Sequence, residues 1–301
     1  GCGPFRLARF QPRLVRLENH PRYHLAHPLL NAVEYWITPT LFDPAMGNSC
    51  RHPVQLAIGE NSDIPHLRPV SHQISLGFCY LAIRQQGRIS RAQARRLVQI
   101  IHQTARVGTL SEESALITPS RAILPGWFCP QWAESTTRLP ATLTLVYHLP
   151  VELHGMAESL KQRLAEEGCA LTVIFHPAKN WNGCHQLGEA DLMMGDRLIG
   201  ECPEYTLEQW VRCDPLWPNL LSGQQMAHLN ATLDSVQCNL PFAERCRHLH
   251  QVFYQLMDEA QLTPLFNYHY QISAPPGVNG LRLNARGWFD FASAWLPASP
   301  P

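Results

Sequence analysis

Three histidines lie close together at His20, His24 and His27, and Cys50 and His52 follow. Imidazole and thiolate are ligands that borderline-soft divalent metals prefer. These histidines sit in a loop that carries Pro21 and Pro28, not along one helical face, so they read as surface or packing residues and no metal is expected. Cys184 and His185 are neighbours, but a nucleophile needs both a base and an orienting group, which neither they nor Cys79 acquire from sequence alone. The chain has no Gly-x-Ser-x-Gly elbow, no glycine-rich phosphate loop and no His-Glu-x-x-His pair. It is expected not to be an enzyme and to use no cofactor. Asp191 and Asp196 are five residues apart across a strand-to-loop junction and do not share a face, so Asp191 reads as structural.

Binding chemistry remains. Asp196 and Arg197 stand where a short strand is expected to lead into a loop. A guanidinium there suits a carboxylate or phosphate through two parallel hydrogen bonds. Trp127 in a connector, and Tyr268 and Tyr270 on a late strand, offer aromatic faces that suit sugar rings or peptide backbones. The competing readings are internal packing for the aromatics and a solvated surface charge for Arg197.

Composition narrows the classes further. Hydrophobic residues make up 45% of the 301 and charged residues 16%, the profile of a chain that folds almost throughout. Twenty-four basic and twenty-four acidic side chains cancel, so no excess cation is available to displace counterions from a nucleic acid or to attract an anionic membrane. DNA binding by these residues is not expected, and no apolar run reaches the roughly 18 residues of a membrane helix. Ten cysteines are scattered without any Cys-x-x-Cys pair, which argues against a zinc knuckle. Cys79 within Leu76–Leu81 and Cys169 before Ala170–Phe175 read as buried free thiols, and reduced thiols imply a cytoplasmic setting. The chain opens at Gly1 without Met or a signal region, as a segment starting in mid-protein would.

The elements that must position these residues follow from periodicity. Alternation predicts strands over 14–18 and 32–38, and another over 73–83. Ser90 is placed to cap a helix to about Arg106, with Ala94, Leu97, Val98, Ile101 and Ala105 on one face. A connector rich in proline and tryptophan, Ile123 to Trp132, marks a boundary. After it come a strand over 142–147, a helix over 151–167 that Gly168 ends, and a strand over 170–175, which together form a right-handed β-α-β unit. A short strand over 189–196, helices over 206–213, 222–236 and 241–260, and strands over 263–272 and 280–284 complete the chain. The expected division is a first lobe portion over 1–122, a β-α-β domain over 123–262, and a return strand with tail over 263–301.

The order of these landmarks resembles the solute-binding proteins of the peptide and nickel transporter type. The resemblance is carried by Gly1-Cys2-Gly3-Pro4-Phe5, the strand-turn-strand from Tyr23 to Ile37, the helix Arg91 to His102, Leu124-Pro125-Gly126, the β-α-β lobe, and Pro264-Leu265-Phe266. Within that group, Pro264 to Tyr268, Gly280 to Phe291 and Trp295 resemble the SgrR-type bacterial transcriptional regulators. The resemblance implies an α/β, periplasmic-binding-protein-like fold (type II, class C) with two lobes, incomplete at the N-terminus. It implies a cytoplasmic effector-sensing domain whose partner is a small molecule, such as a sugar phosphate or another metabolite. DNA contact would come only through a helix-turn-helix outside this chain. It also implies that Asp196, Arg197, Tyr268, Tyr270 and Trp127 line the ligand site. The alternative is an extracytoplasmic peptide or nickel receptor of a transporter, and the third reading is a metal-dependent enzyme built on the histidine loop.

Overall fold

A computed structural model describes residues 2–36, 57–58, 68–69, 74–106, 117–148, 152–176, 189–199, 202–236, 241–270, 272–274, 276–282, 284 and 289–297. The chain divides into two compact units, Gly1–Ile74 with Tyr270–Pro301, and Ser75–His269.

In the first unit, β1 (Phe5–Gln11), β2 (Leu14–Asn19) and β3 (Ala32–Trp36) form an antiparallel sheet in that order. The β1–β2 connection is the pair Pro12-Arg13, where proline supplies the fixed φ of a tight turn. Arg16 ties β2 to β3 through Glu34 at 2.6 Å and also engages Glu18 of its own strand at 3.1 Å. A second small sheet places β12 (Ile272–Ala274) between β4 (Ala57–Ile58) and β5 (Arg68–Pro69). Gly280 takes φ +68° with the Ser293 carbonyl packed against its α-carbon. Beside that turn Asn279 bridges Trp295, and the Asp290 N–H donates to the Arg282 carbonyl at 2.9 Å.

The second unit is built on a six-stranded sheet in the order β7-β11-β6-β10-β8-β9. Its strands are β6 (Ile74–Ile83), β7 (Ile117–Pro119), β8 (Thr142–Tyr147), β9 (Ala170–Phe175), β10 (Leu192–Leu198) and β11 (Leu262–Tyr270). Helix α1 (Arg91–Arg106) starts in a capping box, with Gln93 N–H donating to Ser90 Oγ at 3.2 Å and Ser90 N–H to Gln93 Oε1 at 2.9 Å. Its Ala94, Leu97, Val98, Ile101 and Ala105 are all buried, as their spacing predicts. Helix α2 (Glu152–Glu166) crosses between β8 and β9, and Gly168 at φ +75° ends the crossing. Strands β8 and β9 are parallel, and β10 lies parallel on the other side of β8. Four helices follow: α3 (Pro203–Cys213), α4 (Leu216–Leu220), α5 (Gly223–Val236) and α6 (Phe242–Asp258). Ser222 and Gln225 repeat the capping box at α5.

One expectation shifts. Strand β10 runs on through Leu198 because its far half pairs antiparallel with β6, Gly195 opposite Tyr80 and Leu198 opposite Gly77. Asp196 and Arg197 therefore lie within the strand and not in a loop beyond it. The same pairing joins β6 to β10 within the unit Ser75–His269, which also holds α1.

Candidate functional site

The parallel strands β8 and β9 end on Tyr147-His148 and Phe175-His176, beside the middle of β10. In open α/β sheets this carboxyl edge is where ligands collect. His176 N–H donates to the Tyr147 carbonyl at 2.8 Å, which fixes the two strand ends side by side. The Tyr147 hydroxyl meets His154 Nδ1 of α2 at 2.7 Å, and its ring tilts against Phe175 at 5.4 Å. His148 and His176 are both buried.

Gly195 opens the sheet to this edge. A Cβ there would lie 2.5 Å from His148 Cε1 and 2.6 Å from Tyr80 Oη, so only a bare backbone lets ring and phenol approach the strand together. Alternation puts Gly195 and Arg197 on one face of β10 and Asp196 on the other. On the Arg197 face, Phe78 and Tyr80 of β6 pack with Trp210 of α3 at 5.8 and 4.9 Å between ring centres. The Arg197 guanidinium lies over Trp210 at 5.2 Å and is ion-paired with Asp214. Trp217 donates from Nε1 to the Trp210 carbonyl at 2.9 Å, and this holds the indole platform in place.

Burial dominates the electrostatics. It drives the Tyr80 hydroxyl far above the usual phenol range, with Arg197 partly offsetting it, so Tyr80 stays neutral. The Arg197 guanidinium is lowered by burial and supported by Tyr80 and Asp196. His148 is pulled down to about 4 by burial, then by the positive charge of Arg197 and by His176. Unfolded, the same ring titrates near 6.5, so between those values the unfolded chain binds more protons. Stability must therefore fall as pH drops from about 6.5 toward 4, by at most about 1.4 kcal/mol per pH unit, with no contribution above that window. Urea unfolding at about pH 7.5 and about pH 5 is expected to show this loss, and His148→Gln to flatten it. An unchanged pH slope in that variant would assign the effect elsewhere.

Of the five residues singled out from sequence, Asp196, Arg197 and Trp127 are not brought to one point. Asp196 and Arg197 are neighbours on opposite faces, and Arg197 is already matched by Asp214. Trp127 stacks on His250 of α6 at 4.8 Å and touches Phe253, which in turn stacks on Trp210. Two rings therefore separate Trp127 from Arg197. Tyr268 and Tyr270 lie on β11, with Tyr268 in register with Ile117 of β7, and their side chains are outside the described residues. Sequence reasoning missed Tyr80, His148, His176, Trp210 and Asp214. The signal that marks the place is a glycine inside each paired strand, Gly77 and Gly195.

The loop histidines are engaged locally: the Arg22 N–H donates to His20 Nδ1 at 3.1 Å and His24 packs edge-on against Tyr23. Cys50, His52, Cys184 and His185 lie outside the described residues. Among the described residues no three His, Cys, Asp or Glu side chains converge on a metal-sized site, and no helix is long and apolar enough to cross a membrane.

Comparison with known proteins extends this description. NikA from Staphylococcus aureus, solved in complex with Ni(L-His)2, superposes with a TM-score of 0.71 at 11% identity, covering 98% of this chain and 69% of NikA. The fold is that of the periplasmic binding proteins. No protein-family model matches the sequence. The uncharacterized protein YbaE of Escherichia coli K12 is 60% identical over 299 residues, 99% of this chain and 53% of YbaE. The transcriptional regulator SgrR of Pectobacterium atrosepticum is 22% identical over 311 residues, all of this chain and 51% of SgrR. The chain thus spans about half the length of the curated relatives it matches.

Proposed function

We propose that this chain is the effector-sensing part of a cytoplasmic DNA-binding regulator and is not an enzyme. The observation that carries the reading is the SgrR similarity, which runs over the whole chain at 22% identity. The thiols support it. Among the described residues none of Cys2, Cys79, Cys129, Cys169, Cys202, Cys213 and Cys246 forms a disulfide, as a reducing compartment favours. The effector is a small polar metabolite with an anionic group, a sugar phosphate being the first candidate. Its anion would meet Arg197 on the Trp210 platform by sharing that guanidinium with Asp214, and DNA contact would belong to a segment outside this chain. A bound effector acts by favouring one conformation over another.

Calorimetric titration of the chain with glucose 6-phosphate is expected to give saturable heat, and Arg197→Met to weaken binding by about tenfold, the loss of about 1.4 kcal/mol. Silence from every sugar phosphate would remove that effector class. The competing reading, an extracytoplasmic peptide or nickel receptor, is favoured by the likeness to NikA. Thiol titration under denaturing conditions separates the two. All ten cysteines reacting supports the regulator, and disulfides would overturn it.

A further inference from the structure

A groove lies between α3, α5 and α6, within the second unit and away from the strand-edge cluster. Its floor is Leu233, Leu249 and Val252, all buried, and its rims carry the exposed rings of Tyr205 and Phe242. It encloses about 90 Å³, several times the roughly 10–15 Å³ that one water requires.

Two opposite charges stand on facing walls, Glu204 on α3 and Arg245 on α6. Their neighbours are neutralised in place: Arg212 engages Glu208 at 3.0 Å, and Arg247 engages Glu244 at 3.5 Å. Among the described residues Glu204 and Arg245 form no ion pair, with each other or elsewhere. The Arg245 guanidinium lies over Phe242 at 5.7 Å. Cys246 feels both charges: its thiol is pushed up by burial and by Glu204, with which it hydrogen-bonds, and drawn down by Arg245. An apolar floor beside a carboxylate and a guanidinium that no ion pair neutralises is complementary to a molecule that carries both charges and a short apolar body.

We propose that this groove binds a small zwitterion with an apolar side chain, its ammonium at Glu204, its carboxylate at Arg245 and its side chain over Leu233, Leu249 and Val252. A macromolecular partner is disfavoured because the groove encloses only about 90 Å³. The site is independent of the proposed effector at Arg197.

Free leucine titrated into the chain and followed by NMR tests the proposal, with leucinamide and N-acetyl-leucine as probes that each lack one charge. Leucine is expected to saturate at millimolar concentration, and each analogue to bind about tenfold more weakly or worse. Glu204→Gln should abolish discrimination against N-acetyl-leucine, Arg245→Met should abolish discrimination against leucinamide, and Glu204→Asp should retain leucine binding. Arg197→Met should leave leucine binding unchanged while weakening sugar-phosphate binding about tenfold, so the two sites fail separately. Absence of saturation, equal affinity for all three probes, or binding lost in Arg197→Met but kept in both groove variants would each overturn it.

Discussion

Gly77→Ala is expected to destabilise the second unit by about 3–5 kcal/mol, among the largest effects of a single methyl group. The added Cβ would fall inside the contact radius of the Arg197 carbonyl oxygen, 3.0 Å from the Arg197 carbonyl carbon and 3.1 Å from Leu198 Cα. All three atoms are backbone, so no rotamer change relieves the clash. Strand β10 must separate from β6 at the Gly77–Leu198 pair, or slip. Slipping is costly because Phe78 and Tyr80 are fully buried against Trp210 on the same stretch. At about 2–4 °C per kcal/mol the midpoint should drop by about 10 °C. Gly223→Ala is the matched control, since nothing lies within 4 Å of its would-be Cβ at the start of α5. Thermal unfolding followed by circular dichroism checks both, and a Gly77→Ala midpoint within about 2 °C of the parent would refute the account.

Asp214→Ala should cost about 3 kcal/mol, because it strands the Arg197 guanidinium under only partial solvent cover. The Arg197 side chain is 28% exposed and that of Asp214 8%, so water compensates only in part. Asp214 also accepts the Leu216 N–H at 2.8 Å and so starts α4. Asp214→Asn keeps that acceptor and removes the charge, which separates the two contributions. The double variant Arg197→Met with Asp214→Asn should recover most of the loss, since a removed pair costs less than a broken one. Urea unfolding of the cycle is expected to show a coupling above about 1 kcal/mol. A negligible effect of Asp214→Asn alone would mean that the pair is not what holds Arg197 on Trp210.

Local signals were legible where the chain itself supplies both partners of an interaction. Ser90 with Gln93, the apolar face of α1 and the stop at Gly168 each involve residues a few positions apart, and the structure shows each as the sequence implies. The β-α-β order was equally readable, because a crossover of that length permits one topology. Where β10 ends was not readable, since its last residues are held by Gly77 and Phe78, more than a hundred positions earlier.

The same division runs through the candidate site. By itself the sequence determined an α/β chain of neutral charge without a Cys-x-x-Cys pair, and it singled out Asp196 and Arg197 as adjacent polar residues where a strand was expected to lead into a loop. Only the tertiary structure decided that Arg197 is matched by Asp214 and laid on Trp210, that Trp127 packs two rings away, and that His148 and Tyr80 crowd Gly195. The physical reason is range. Periodicity and capping act within a few residues along the chain, whereas desolvation and ion pairing depend on which distant strands the sheet happens to place side by side.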